Sequence, residues 1–313
     1  SGVKIIDRPA LAPFTTLKLG GSALAEIRLH SLDDCERLPE ALRLTGGSPH
    51  VLGGGSNLLI HDGLLPITVI RPLLGSRDAE GRPAQPEILG QEDGPDGPRT
   101  LLRVGAGMRV PFLLSWCVRH GLAGLEGLVG VPGHVGGAIA MNAGAYGCST
   151  APLLRSLTVF TPERGLHELK PEGWHAAYRH FSLIEPYSWY MTVSAVLSLR
   201  QCDASALRAV MTENFRRKKS GQPVHEHTAG CVFKNPEGES AGRLLDAAGM
   251  KGRRRGALYF SEMHANFLAH DTKCGIPGRS DDALALIEEA RTAVRERFGI
   301  TLQQEVKEWP AWQ

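Results

Sequence analysis

Two separated glycine-rich segments constrain this chain more than any other feature. The first is Gly53-Gly54-Gly55-Ser56-Asn57, set between an apolar strand pattern and Leu58-Leu59-Ile60. Successive residues without a Cβ let backbone N–H groups converge on one concavity, which suits phosphate oxygens. The Ser56 hydroxyl and the Asn57 amide add side-chain hydrogen bonds. The run is neither G-x-G-x-x-G nor G-x-x-x-x-G-K-[ST], so a standard dinucleotide fold and a P-loop are both disfavoured. A plain hairpin turn explains this segment, taken alone, equally well. The second segment begins Val131-Pro132-Gly133-His134-Val135-Gly136-Gly137-Ala138 and continues to Met141-Asn142-Ala143-Gly144-Ala145-Tyr146-Gly147. A turn needs two or three glycines. This density points to a long flat ligand against bare backbone, with tight packing of two segments as the alternative.

Bulk properties narrow the classes. With 313 residues, 42% of them hydrophobic, the chain is long enough for two or three domains. The net charge of +2 gives no global field for nucleic acid, and no aromatic residues interleave with the basic clusters. The most apolar stretch, 112–131, is broken by Arg119, His120 and Glu126, which argues against a membrane span. No apolar leader core opens the chain, so no signal peptide is expected. Cysteines 35, 117, 148, 202, 231 and 274 show no C-x-x-C spacing and fit reduced thiols in the cytoplasm. A zinc reading of His225, His227 and Cys231 lacks a fourth ligand at standard spacing, so no metal is expected.

Periodicity and turn signals predict strands at 3–6, 25–29, 50–52, 67–70, 101–104, 157–160, 191–200, 231–233 and 267–269. Within 191–200, Met191, Val193, Ala195, Leu197 and Leu199 are expected to face one way. The polar stretch 76–99, rich in Pro and Gly, reads as an exposed loop. Pro111 opens a helix through Leu113, Leu114, Cys117 and Val118 that Gly121 ends. Ser205 is expected to cap a helix with Leu207, Val210, Met211 and Phe215 on one stripe. Ser240 caps another through Leu244, Leu245 and Ala248, stopped by Gly249. Asp281 begins a longer one with Ile287, Ala290, Val294 and Phe298 at helical spacing, stopped by Gly299. Composition shifts near Gln201, and the last hundred residues read as α+β.

Five motifs then stand in a recognisable order: LGGGSNLLI, GLEGLVGVPGHVGGAIAMNAGAYG, YRHFSL, GCVFKNPEGESAGRLLDAAGMKG and SEMHANFLAH. Together they resemble the UDP-N-acetylenolpyruvoylglucosamine reductase (MurB) family, from about Thr15 to Val306. Few residues separate Arg179 from Arg216, which resembles the family's shorter, second type. The resemblance implies an α+β chain whose two-part FAD-binding region is of the vanillyl-alcohol oxidase type, followed by an α+β substrate-binding domain. The implied parts are 1–71 and 72–203 for FAD, 204–300 for substrate, and a tail, 301–313, returning to the active site.

The resemblance also implies the chemistry. NADPH gives hydride to FAD, which passes it to the vinyl carbon of UDP-N-acetylglucosamine enolpyruvate, and the adjacent carbon is protonated. Cys231 matches the family's proton donor, Arg179 its enolate-stabilising arginine, and Glu305 its C-terminal glutamate. A thiol, with a reference pKa of about 8.5, is a better acid than a serine hydroxyl. A guanidinium pairs with a carboxylate in a bidentate fork. Gly53, Gly54, Gly55, Ser56 and Asn57 are implied on the FAD diphosphate. Pro132, Gly133, Val135, Gly136, Ala138 and Asn142 are implied along the rest of the cofactor. Tyr178, Lys219, Gln222, Lys234, Asn235, His264 and Asn266 are implied on the substrate. Lys251 with Arg253-Arg254-Arg255 forms a further basic cluster, either a solvated loop or a contact for UDP. The implied partners are small molecules, with no obligate protein partner. Two departures stand out. The family's Tyr-Arg-x-Ser-x-Phe is displaced to Tyr178-Arg179-His180-Phe181-Ser182-Leu183, and 76–99 is an addition. The rival readings are a flavin oxidase of the same cofactor fold and a nucleotide-sugar binding protein without turnover.

Overall fold

The structure is a computed structural model and describes residues 3–78 and 80–310. Its largest sheet runs in the order Gly165–Leu169, Leu154–Thr161, Met191–Gln201, Gly97–Gly105, Glu87–Gly94, with Leu122–Ala123 also paired to Met191–Gln201. All of these pairings are antiparallel. A second sheet takes the order Lys4–Asp7, Ser22–Leu29, Leu64–Pro72, Ser48–Val51. A third, near the C-terminus, takes the order His227–Cys231, Phe267–His270, Leu258–Phe260, Arg254–Arg255.

By packing, the chain forms two compact units. The first comprises the residues up to Ile6, Ala25–Gly54 and Thr68–Arg217, and the second Asp7–Leu24, Gly55–Ile67 and everything from Lys218 on. In the first unit, helix α1 (Leu32–Thr45) covers Ile27, Leu29 and Ile70 with Cys35, Leu38 and Ala41. Its N-terminus is a capping box in which Ser31 and Asp34 satisfy each other's backbone amides. Helix α2 (Val110–Arg119) and helix α3 (Val135–Ala140) pack Leu113, Leu114, Cys117, Val135 and Ile139 against Leu102, Leu157, Ala195, Leu197 and Leu199.

The expected alternation along the central strand is corrected in one respect. Its register slips by one residue at Val193, between the pairs Thr158–Ser194 and Val159–Thr192. A bulge moves the residues before it onto the other face. Met191 and Val193 therefore join the cluster under α1, while Ala195, Leu197 and Leu199 face α2 and α3.

The stretch 76–99 is also not a plain loop. Glu87–Gly94 and Gly97–Gly105 form an antiparallel hairpin, with Pro95-Asp96 at its tip between the paired glycines 94 and 97. Glu87–Gly94 is an edge strand with Ile88 and Leu89 exposed. None of its residues is fully buried, and its inward-facing positions are Gly90, Glu92 and Gly94, so it needs no hydrophobic alternation and the sequence carries no strand signal.

Helix α4 (Ala204–Gly221) is capped by Asp203, whose Oδ1 accepts from the Ala206 amide at 2.8 Å, and not by Ser205. Its stripe is only partly used: Leu207 is buried, but Val210 and Phe215 are exposed. In the second unit, helix α5 (Ala241–Ala247) starts at Ser240, which accepts from the Arg243 amide as its sequence predicts. Helix α6 (Ser280–Phe298) ends at Gly299 in the left-handed region, with φ 68°. The two pack Leu244, Leu245, Leu286, Ile287 and Val294 onto Phe260 and Leu268. The strand expected at 231–233 lies earlier, at His227–Cys231. Phe233 instead bridges Gln304. The tail strand Lys307–Trp309 pairs in parallel with Leu58–Ile60.

Candidate active site

In the first unit the two glycine-rich segments meet. A Cβ on Gly54 would lie 2.4 Å from the Cα of Gly133, closer than real side chains come. The second segment is stitched down by Val110 N–H to Gly133 O, Val135 N–H to Met108 O, and Gly136 N–H to Ala106 O, at 3.0, 2.9 and 2.9 Å. Val135 and Ala138 turn their side chains into the core. Pro132 is exposed. A Cβ on Gly53 would meet nothing closer than 3.8 Å, and one on Gly137 nothing within 4 Å. Part of the glycine density is thus segment packing, and part is bare backbone left open.

His134, inside this segment, has no expected role from its sequence. Its Nδ1 is enclosed without a hydrogen-bond partner among the described residues. Burial, and then the charges of Arg71 and Arg109, hold its pKa below the ordinary imidazole value. The signal was a lone imidazole in a run of small residues. Asn142, expected against the cofactor, commits its amide internally. Its Nδ2 donates to Ala177 O at 2.9 Å, and its Oδ1 accepts from the Ala151 amide at 3.0 Å. It thereby ties the second glycine segment to the hairpin Trp174–Ala177/His180–Leu183.

Tyr178 and Arg179 are the two turn residues of that hairpin, because Ala177 pairs with His180. Arg179 has φ 52°, an uncommon conformation for a side-chain-bearing residue. Its Nη2 donates to Gly144 O at 2.6 Å, and its guanidinium lies 5.2 Å from the Tyr178 ring centroid. The displaced motif therefore still presents the arginine, at a turn held by the second glycine segment.

In the second unit, Cys231 is half-buried and follows Gly230, whose φ is 78°. The next residue, Val232, accepts at its carbonyl from the Glu305 amide at 2.7 Å. Asn57 Nδ2 donates to the Glu305 carbonyl at 3.1 Å. Gly55 is closed in: a Cβ there would lie 2.1 Å from Phe14 O. Asn266 is buried and brackets Phe233, accepting its amide at 2.9 Å and donating to its carbonyl at 2.8 Å. His264 accepts the Asn266 amide at Nδ1, and burial lowers its pKa. Asn235 Oδ1 accepts the Ala241 amide at 3.0 Å. The Lys234 backbone is held by Gln303 O at 2.8 Å, while its ammonium has no partner among the described residues. That leaves a positive charge three residues from Cys231 without an internal counter-ion among the described residues.

The basic clusters sort themselves. Arg253, Arg254 and Arg255 pair with Glu289, Asp271 and Asp282 at 2.6, 3.5 and 3.5 Å, and Lys251 pairs with Asp246. Arg216 and Arg217 share Glu213. Lys219 is exposed at the end of α4, and the Gln222 amide donates to Lys218 O. Among the described residues no group of three His, Cys, Asp or Glu could hold a metal ion, and no helix is long and apolar enough to cross a membrane.

Bare backbone at Gly53 and Gly137, and an enclosed imidazole nitrogen lacking a partner, fit a flat polyanionic cofactor. A family model described as a FAD binding domain matches residues 95–169, which makes the chain a FAD-binding flavoprotein of α+β fold. A second, the C-terminal domain of UDP-N-acetylenolpyruvoylglucosamine reductase, matches residues 222–309. The chain is 46% identical to the UDP-N-acetylenolpyruvoylglucosamine reductase of Nitratidesulfovibrio vulgaris, over 97% of this chain and 98% of that one. It is also 46% identical to that of Oleidesulfovibrio alaskensis, over 99% of each. Among solved structures, the reductase of Thermus caldophilus superposes with a TM-score of 0.76 at 33% identity, covering 98% of this chain and 99% of that one. The chain belongs to the UDP-N-acetylenolpyruvoylglucosamine reductase family.

Proposed function

We propose that this chain reduces the enolpyruvyl ether of UDP-N-acetylglucosamine to the lactyl ether of UDP-N-acetylmuramate, a step of peptidoglycan precursor synthesis. The observation that carries the reading is the tie between Glu305 and the residue after Cys231, in a chain matched end to end by reductases of this name. FAD, when bound, supplies the carrier that takes hydride from NADPH and returns it to the vinyl carbon. Gly53, Gly54, Gly55, Ser56 and Asn57 would hold its diphosphate, with Pro132, Gly133, Val135, Gly136, Ala138 and Asn142 shaping the rest of the seat.

The remaining chemistry falls to side chains. Arg179 stabilises the oxyanion that develops on the substrate carboxylate. Cys231 Sγ–H gives its proton to the carbon beside that carboxylate, and the thiolate left behind regains a proton from solvent. Glu305 acts at the same centre. Lys234, with its unpaired ammonium, holds a substrate anion. Tyr178, Lys219, Gln222, Asn235 and His264 complete the substrate side, while Asn266, expected there too, is buried and spends its carboxamide on the Phe233 backbone. Residues 1–71 and 72–203 serve the cofactor, 204–300 the substrate, and 301–313 bring Glu305 in. The reaction would run in the cytoplasm, where reducing conditions keep thiols such as the buried Cys35 and Cys117 reduced.

The test is anaerobic turnover of the enolpyruvyl sugar nucleotide with NADPH and FAD-loaded protein, read by mass spectrometry. A product heavier by two hydrogens is expected. Intact substrate beside loaded protein would contradict the reading.

A further inference from the structure

Asn57 does more than decorate its glycine loop. Its side-chain Nδ2 donates to the carbonyl of Glu305 at 3.1 Å, across 248 residues of sequence. Its own carbonyl accepts from the Lys307 amide at 3.0 Å. From the opposite direction, the Glu305 amide donates to Val232 O at 2.7 Å, one residue beyond Cys231. Glu305 is therefore gripped through both of its main-chain polar groups, one by the Cys231 segment and the other by Asn57. The parallel pairing of Lys307–Trp309 with Leu58–Ile60 continues the same line of bonds.

The residue type matters for this grip. A carboxamide carries two N–H donors, so one can be given to Glu305 while the second stays available. An aspartate at the same size offers only acceptors and would face the Glu305 carbonyl repulsively. An alanine would leave that part-buried carbonyl without its donor.

We propose that Asn57 is the positioning residue for Glu305, setting the carboxyl group relative to Cys231 and linking the glycine loop to the proton-transfer side of the reaction. This rests on the reading in which Glu305 acts in that reaction.

The test uses FAD-loaded full-length protein carrying Asn57→Asp or Asn57→Ala, each alone and combined with Glu305→Ala. Stopped-flow spectroscopy follows flavin reduction by NADPH and flavin reoxidation by the enolpyruvyl sugar nucleotide, across pH. A small misplacement of an acting group costs up to about 100-fold. Reoxidation should fall by roughly 10- to 100-fold in both single variants, well beyond any loss in reduction. The pH limb that Glu305→Ala removes should shift in Asn57→Ala, and adding either Asn57 change to Glu305→Ala should slow reoxidation little further. If the Asn57 loss persists undiminished without Glu305, the assignment is overturned while the role of Glu305 stands. Normal reoxidation by Glu305→Ala alone sinks the reading on which the assignment rests. Should Asn57→Asp fold poorly, Asn57→Ala carries the same comparison without the repulsion.

Discussion

Gly54 and Gly133 touch backbone to backbone, with room for no Cβ between them: one built on Gly54 would stand 2.4 Å from the Gly133 Cα. The separation of the two glycine-rich segments is therefore set by the missing side chain. This contact splits the glycines into two kinds. Gly54 is small because another segment is there, whereas Gly137 faces open space.

The two kinds should respond oppositely to alanine. Gly54→Ala forces the segments apart, an overpacking cost of about 1–3 kcal/mol, and should weaken FAD retention. Gly137→Ala meets no atom within 4 Å and lies inside α3. It should leave the apoprotein as stable as before or stabilise it by up to about 1 kcal/mol, while crowding the cofactor. Urea unfolding of apoprotein and FAD titration check both. Equal destabilisation by the two changes would refute the distinction.

Cys231→Ala should reduce flavin reoxidation by the sugar nucleotide by roughly 100- to 10,000-fold, the span typical of a lost general acid. Flavin reduction by NADPH should survive. Cys231→Ser, which keeps a proton on a similar atom, should retain turnover. Normal reoxidation in the alanine variant would remove Cys231 from the mechanism.

Arg179 is oriented by its 2.6 Å bond to Gly144 O and by a turn with φ 52°. Lysine preserves the charge but not the planar fork. Arg179→Lys should lower kcat about 100-fold or more, on the scale of losing one oxyanion donor, with a smaller effect on KM. A pure KM effect would mean that the arginine only binds.

His134 supplies a pH dependence. Burial first, then Arg71 and Arg109, lowers its pKa in the folded protein below the unfolded value. The folded state thus binds fewer protons, so this contribution is complete above the unfolded pKa of about 6.5 and is lost as pH falls through the lower folded value. His134→Gln should flatten the fall of apoprotein Tm as pH drops below about 6.5. An unchanged acid slope would show that His134 is not a source of it.

Where local chemistry decides structure, the sequence was enough. Ser240 and Gly299 bound α5 and α6 at the expected ends, because caps act within one turn. The α+β class and the FAD-binding region followed from the motifs, and the family matches bear them out. The hairpin within 76–99 was hidden because an edge strand with no fully buried residue leaves no hydrophobic pattern. The slip at Val193 was hidden because alternation alone does not reveal a bulge. Asp203 rather than Ser205 caps α4, a shift of two residues between two good caps. The bond from Asn57 to Glu305 was out of reach for a plainer reason: no local pattern joins residues 248 apart. His134 was passed over because its meaning lies in its neighbours, Arg71 and Arg109.

The central claim is that one flavoprotein passes hydride from NADPH to an enolpyruvyl sugar nucleotide, and the flavin absorbance tests it most directly. Oxidised, FAD-loaded protein mixed anaerobically with NADPH should bleach. Addition of UDP-N-acetylglucosamine enolpyruvate, still without oxygen, should restore the yellow colour in a stoichiometric step. A flavin that bleaches but returns only when oxygen is admitted, or a protein that stays colourless after FAD is supplied, would contradict the account.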